Sequence, residues 1–118
     1  MEAKIKKLHS TMFTVNSFGE THQVVARAGC YEGGRTAIVL KGIDGSPFGK
    51  LTVNIPECPL EPDEILVKTW AENEGWAHGF LDYPFFADTG KRCPTGFVEA
   101  EIWRFAMDTP PPTGTGGD

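Results

Sequence analysis

Glu99 and Glu101 are the first candidates for chemistry in this chain, because a pair of carboxylates can share acid and base work, as in glycoside hydrolysis. They stand two residues apart in a segment of strand-like composition, so both side chains would project from one face. Two carboxylates on such a face are far more often plain solvated surface. An active site would also need a pocket in which a histidine converges with them. The spacing alone predicts no catalytic residue, and we do not expect an enzyme.

The glycine-rich stretch 42–50 has only a superficial likeness to a phosphate-binding loop. Asp44 stands where the first glycine belongs, Leu51 replaces the serine or threonine, and a strand-like segment follows instead of a helix. The serines lack a GxSxG elbow, and Cys58 lies between acids and prolines, where negative charge disfavours a thiolate. The sequence therefore predicts no nucleotide binding, no nucleophilic catalysis and no cofactor.

The cysteines and histidines are few and scattered. Their spacing suits neither a disulfide scaffold nor paired zinc ligands, and no HExxH motif is present. We therefore expect reduced thiols, a cytoplasmic protein and no metal site. The residues concerned are Cys30, Cys58, Cys93, His9, His22 and His78.

An acidic segment, residues 57–74, is the most distinctive feature of the charge pattern. It carries six acids against one base, Lys68, which accounts for the whole net charge of -5. Trp70 lies within it, and Phe85 with Phe86 follows Pro84 as a loop-borne pair that we expect to stay partly exposed. Acids beside aromatics suit the docking of a basic partner, because complementary potentials steer encounter. The predicted partner-binding residues are Glu57, Glu61, Asp63, Glu64, Trp70, Glu72, Glu74, Phe85 and Phe86.

Length and composition set the outer limits. A chain of 118 residues and 12.9 kDa suits one domain, predicted over residues 1–107, with a disordered tail rich in proline and glycine over 108–118. A pI near 5.1 argues against direct nucleic-acid binding. The apolar runs are too short to cross a bilayer, and no secretory signal is recognisable at the N-terminus. We expect a cytoplasmic protein of a bacterial host.

The elements that must position these residues follow from turn chemistry and periodicity. Strands are predicted over 12–18, 22–31, 35–41, 48–55, 65–70 and 97–105. The three prolines between 56 and 62 predict an extended acidic loop. Asn73 as an N-cap and apolar residues at helical spacing predict a helix over 73–83. The predicted fold class is α+β, an antiparallel sheet of about five to six strands with one packed α-helix.

Five motifs follow one another over residues 31–105. They are Tyr31-Glu-Gly-Gly-Arg-Thr-Ala-Ile-Val-Leu, Phe48-Gly-Lys-Leu-Thr-Val-Asn-Ile-Pro, Pro62-Asp-Glu-Ile-Leu-Val-Lys-Thr-Trp-Ala-Glu-Asn-Glu-Gly, Asp88-Thr-Gly-Lys-Arg and Pro94-Thr-Gly-Phe-Val-Glu-Ala-Glu-Ile-Trp-Arg-Phe. This ordered series resembles a family of small proteins of unknown function that phages, plasmids and conjugative elements encode. The family brings no catalytic residues, and the resemblance implies an accessory role for the mobile element; some such proteins block host restriction or CRISPR systems.

The functional hypothesis joins the acidic segment to this resemblance. We expect a non-enzymatic accessory protein that binds and inhibits a host defence protein, with anti-CRISPR activity as one form, because carboxylates can stand where phosphates would in a basic channel. The alternative is a structural or oligomeric accessory protein of the mobile element without inhibitory activity. A self-associating edge strand would favour that alternative.

Overall fold

The structure is a computed structural model that describes residues 8–105, and it is mostly β, with 52% strand and 11% helical residues. The predicted tail over 108–118 lies outside the described residues. Seven strands and two short 3-10 helices follow one another along the chain. They are β1 (Met12–Ser17), β2 (Glu20–Cys30), β3 (Thr36–Gly42), β4 (Pro47–Lys50), β5 (Glu64–Val67), the 3-10 helices Ala71–Asn73 and Ala77–Asp82, β6 (Phe86–Thr95) and β7 (Val98–Phe105).

The α+β prediction was wrong, since the described residues form antiparallel sheets of four and three strands and no packed α-helix. Residues 73–83 form parts of the two 3-10 helices instead of one continuous helix. Trp76, between them, has φ −134° and ψ −15°, which interrupts the helical backbone. Gly75 and Gly79 lower the helix propensity of this segment, and Pro84 limits its extension. The apolar residues at helical spacing are therefore buried without an α-helix.

Sheet 1 has the order β1-β2-β3-β4 and is built from hairpins. Between β1 and β2, Phe18 and Gly19 both have positive φ, as a two-residue hairpin turn requires. The register Phe13↔Val24 and Ala26↔Leu40 brings alternate residues of neighbouring strands to the same buried face. The strands predicted over 12–18, 22–31 and 35–41 are present with slightly shifted bounds, whereas the strand predicted over 48–55 ends at Lys50.

Sheet 2 has the order β5-β7-β6, with β7 in the middle. All four residues of β5 are buried, because the two faces of this strand belong to different clusters. Ile65 and Val67 pack in the main core, and Leu66 packs in a second cluster with Ile55, Cys58, Ala100 and Ile102. Strand β6 was missed in the sequence because Thr89 and Gly90 indicate a turn; in the structure the register shifts there inside a continuous strand.

The two sheets meet along a seam where the chain leaves β4. Thr52 bridges Val67 of β5, the Lys68 N–H donates to the Leu51 carbonyl at 2.9 Å, and the Val53 N–H donates to the Leu66 carbonyl at 3.1 Å. The sheets are therefore also joined by backbone hydrogen bonds.

The opposite side is closed by the segment that leads into β6. Tyr83 and Phe85 place their rings 4.6 and 5.7 Å from that of Phe13, and the Thr14 N–H donates to the Tyr83 hydroxyl at 3.0 Å. Aromatic side chains thus fill the space between β1 and β6.

Cys58 and Cys93 form a disulfide, so the prediction of reduced thiols was wrong for this pair. The loop after Ile55 folds back over sheet 2 and brings the two Cα atoms to 6.2 Å, a separation that disulfides commonly span. The cysteines are far apart in sequence, and spacing alone does not show that proximity. Cys30 is free and exposed. Among residues 8–105, no helix has the length and apolar character to cross a membrane.

Candidate acidic interface

The acidic loop, defined as residues 56–63, is held at several points. The Cys58–Cys93 disulfide ties it to β6, and the Arg35 guanidinium donates to the backbone carbonyls of Ile55, at 2.8 Å, and of Cys58. At its far end, the Phe105 N–H donates to the Asp63 carbonyl at 2.8 Å. These contacts fix the loop backbone against sheet 2.

Glu64, one of the predicted interface residues, is instead the buried anchor of the loop. Its side chain is 2% exposed, one carboxylate oxygen accepts the Glu61 backbone N–H at 2.9 Å, and the other lies 2.7 Å from Lys91 Nζ. Burial raises the pKa of this carboxyl, but the Glu61 N–H, the hydrogen bond and charge of Lys91 and the charge of Arg104 together lower it below its ordinary value. The charge of Glu64 is therefore satisfied inside the protein.

Two further predicted acids are neutralised by neighbouring bases. Asp63 lies 3.0 Å from the Arg104 guanidinium, and Glu72 lies 2.9 Å from Lys68 Nζ. The hydrogen bond from Lys68 lowers the pKa of Glu72 below its ordinary value, so this carboxylate is charged at neutral pH.

The remaining acids of the segment are Glu57, Glu61 and Glu74, and all three are exposed. Their carboxylates have no ion pair and no hydrogen bond with any residue of the described range 8–105. Glu57 and Glu61 belong to the fixed acidic loop, whereas Glu74 directly follows the first 3-10 helix. Unneutralised negative charge thus remains on the loop.

The aromatic part of the predicted interface is mostly buried. Phe85 and Phe86 are 4% and 5% exposed, so the expectation of a partly exposed pair was wrong. Phe85 packs against Phe13, and Phe86 stacks on Phe105 with ring centroids 5.7 Å apart, because both fill the gap between the sheets. Trp70 is half-buried and packs against the second cluster, which also holds Cys58.

Within residues 8–105, the two strongly exposed aromatics lie outside the predicted interface. Phe18 is 93% exposed and Phe97 is fully exposed, each at the turn of a hairpin. The sequence signal for their exposure is the neighbouring glycine, Gly19 or Gly96, because glycines often mark turns and turns lie on the surface. Both glycines have positive φ in the structure.

A groove of about 520 Å³ lies beside the acidic loop. Its charged lining is largely paired: Lys91 contacts Glu64, and Arg92 binds Asp88 through two hydrogen bonds of 3.0 and 3.2 Å that hold the pKa of Asp88 below its ordinary value. Glu61 is the carboxylate of the lining that has no such base among the described residues. The full lining is Pro59, Leu60, Glu61, Glu64, Lys91, Arg92, Cys93, Pro94 and Ile102.

The carboxylates considered for catalysis separate. Glu101 accepts the Trp103 indole N–H at 2.9 Å and lies 2.7 Å from His78 Nε2, whereas Glu99 is exposed and its carboxylate makes no hydrogen bond within residues 8–105. The structure therefore brings one histidine to one of the two acids. Arg92 also lies 3.9 Å from the Glu101 carboxylate.

Known proteins offer no further guide to the site. Comparisons with protein-family models, curated proteins and solved structures found no match. The resemblance to proteins of mobile elements therefore stays a prediction. Among the described residues, no group of three or more histidines, cysteines, aspartates or glutamates could hold a metal ion.

Proposed function

We propose that this protein is a non-enzymatic accessory of a phage or mobile element that binds a host protein through the acidic loop. Inhibition of a host defence protein in the bacterial cytoplasm, as an anti-CRISPR protein would do, is the proposed outcome. The observation that supports it best is the contrast within the acidic segment. Asp63, Glu64 and Glu72 each have a base of their own, whereas Glu57 and Glu61 have none among residues 8–105 and stand on an anchored loop.

The energetic argument concerns preorganisation. A loop that is already held by the Arg35 guanidinium and by the Phe105 N–H has less conformational entropy to lose when a partner binds, and the disulfide restricts it further when it is oxidised. Its unpaired carboxylates offer acceptors to lysine and arginine side chains without first breaking an internal ion pair. The proposed partner carries a basic surface of the kind that binds nucleic-acid phosphates.

The test of the proposed interface is charge reversal at the exposed acids of the loop, and not at Glu64. Charge reversal at Glu64 would break the loop anchor, so the informative variant is the double substitution E57K/E61K. The matched control is E32K/D82K, which makes the same change in net charge at two exposed positions with no ion pair among the described residues. We expect the tagged wild-type chain and the control to capture a partner from host lysate in low salt, and E57K/E61K to lose it.

A functional assay accompanies the capture experiment. We expect expression of the wild-type chain and of E32K/D82K to protect a targeted phage or plasmid from the host defence, and E57K/E61K to give no protection. Equal capture by both variants would reject the acidic loop as the interface. If the tagged chain captures only further copies of itself and gives no protection, the result would instead support the structural or oligomeric alternative.

A further inference from the structure

We propose that a second groove, at the seam between the sheets, binds a small oxyanion, a phosphate or carboxylate group, between Lys50, Lys68 and the Tyr31 hydroxyl. This seam groove has a volume of about 450 Å³ and contains neither Glu57 nor Glu61, so the inference is independent of the proposed protein interface. Its lining residues are Tyr31, Lys50, Thr52, Val53, Asn54, Lys68 and Glu72.

The backbones of the two lysines are held by one buried side chain. Asn73 is fully buried, and its amide nitrogen donates to the backbone carbonyls of Lys50, at 2.7 Å, and of Lys68, at 3.0 Å. The Lys68 N–H is in turn bound to the Leu51 carbonyl. Lys50 ends β4 of sheet 1 and Lys68 directly follows β5 of sheet 2, so one buried amide fixes the backbones of two lysines that line one groove, in a chain whose net charge is -5.

Two locally unfavourable features occur beside this groove. Ala71 has φ +57°, the left-handed region that residues with a side chain rarely adopt, and the buried Oδ1 of Asn73 has no hydrogen-bond partner among the described residues. The positive φ of Ala71 and the unbonded oxygen of Asn73 each cost free energy. These two residues stand on either side of Glu72, which lines the groove. Exceptions to local preference that coincide at one place are characteristic of functional sites.

Lys50 and Tyr31 are the residues of the groove whose donors can bind a ligand directly. Thr52 Oγ1 accepts the Ile38 N–H at 3.0 Å and lies 3.0 Å from the Tyr31 hydroxyl. When Thr52 donates its own proton to Tyr31, the Tyr31 O–H is available to a ligand. Lys50 Nζ lies 5.6 Å from the centroid of the Tyr31 ring and has no carboxylate partner within residues 8–105. The Lys50 ammonium group therefore lies over the Tyr31 ring, and both residues line the groove.

Glu72 indicates which ligand chemistry fits. Its carboxylate, 63% exposed, lies 2.9 Å from Lys68 Nζ at the groove, so an oxyanion group of the chain itself already occupies one of the two ammonium groups. An incoming oxyanion would bind Lys50 and Tyr31 and displace Glu72 from Lys68. Glu72 is thus an internal competitor of the ligand.

The test is a titration of the isotope-labelled full chain, followed by NMR at constant ionic strength, with inorganic phosphate in one arm and succinate in the other. We expect saturable shifts of the backbone amides of Lys50 and Lys68 and of the Asn73 side-chain amide. K50M should weaken binding about tenfold, since it removes one charge-assisted contact. E72Q should strengthen binding about threefold to tenfold, because it removes the competing charge. The matched control K41M, at an exposed lysine of β3, should leave the affinity unchanged.

Saturable binding of either anion at these amides supports the proposal, and the relative affinities assign the ligand as a phosphoryl or a carboxylate compound. Shifts that rise linearly without saturation in both arms would overturn it. Equal weakening by K41M and K50M, or an unchanged affinity in E72Q, would overturn it as well. The failure of this site would leave the proposed role of Glu57 and Glu61 unaffected, because neither residue lines the seam groove.

Discussion

At the scale of single residues, Glu64 shows how burial changes the role of an acid. In the sequence it is one of several carboxylates in an acidic segment. In the structure its side chain is 2% exposed, and its carboxylate accepts the Glu61 N–H and forms an ion pair with Lys91 Nζ. An interaction that favours the charged form lowers the pKa, and the same interaction stabilises the folded state whenever the carboxyl is ionised.

The stability of the protein should therefore fall in acid, and Glu64 should contribute to the fall. Because its pKa in the folded protein lies below the ordinary value of 4.5, its contribution is fully present above that value and is lost as the pH falls through the folded pKa. We expect E64Q to be less stable at pH 7 by about 1–3 kcal/mol and to show a shallower loss of stability below pH 4.5. Urea denaturation across this pH range measures both quantities.

The matched control for this prediction is E57Q, which removes an exposed carboxylate with no partner among residues 8–105. It should keep the stability and the acid profile of the wild-type protein. An E64Q protein with the wild-type profile would show that the Glu64–Lys91 contact does not stabilise the fold.

At the scale of elements, the acidic loop depends on the Cys58–Cys93 disulfide. The bond links the loop to β6 across a sequence separation of 35 residues, so it restricts the unfolded chain strongly. We expect C58A/C93A, or the reduced wild-type protein, to lose about 2–4 kcal/mol of unfolding free energy. Denaturation with and without reductant measures this loss, and C30A, which replaces a free exposed cysteine, is the control.

The Cys58–Cys93 disulfide also bears on the proposed cytoplasmic location. Disulfides are rare in the reducing cytosol, so a cytoplasmic protein should contain Cys58 and Cys93 largely as thiols until it is oxidised. Rapid alkylation of cells at harvest would measure the thiol fraction.

An unchanged unfolding free energy in C58A/C93A would contradict the stabilising role of the Cys58–Cys93 disulfide.

The elements also show which parts of the fold the sequence can predict. The hairpin into β3 was predictable because Gly33 and Gly34 mark the turn that precedes it. The helix over 73–83 was wrong because periodicity of buried residues does not require a helix when glycines interrupt it. The disulfide and the seam depend on contacts between distant segments, which no local pattern encodes.

Prediction of the candidate site was limited for the same reason. Exposure of Glu57 and Glu61 followed from the prolines of the loop. Pairing of Asp63 with Arg104 and of Glu64 with Lys91 joins residues that are remote in sequence. The neutralisation of half of the acidic segment could therefore be seen only in the folded chain.

At the scale of the whole molecule, an aromatic core joins the two sheets. Phe13 of sheet 1 contacts Phe80, Tyr83 and Phe85, and Phe86 of sheet 2 contacts Phe80 and Phe85. The segment that carries Phe80 and Phe85 therefore connects the sheets on the side opposite the seam. Packing of this kind requires large buried rings rather than exposed ones.

Phe85 should consequently act on stability and not directly on partner binding. We expect F85A to lower the unfolding free energy by about 3–5 kcal/mol, because it removes a buried ring and leaves a cavity between β1 and β6. The matched control F97A removes a fully exposed ring and should change stability by less than about 0.5 kcal/mol. Urea denaturation followed by tryptophan fluorescence measures both, and F85L, with an expected loss of about 1–2 kcal/mol, keeps the test informative if F85A does not fold. A stable F85A protein that fails to capture the partner would show that Phe85 acts in partner binding and would contradict its role in the core.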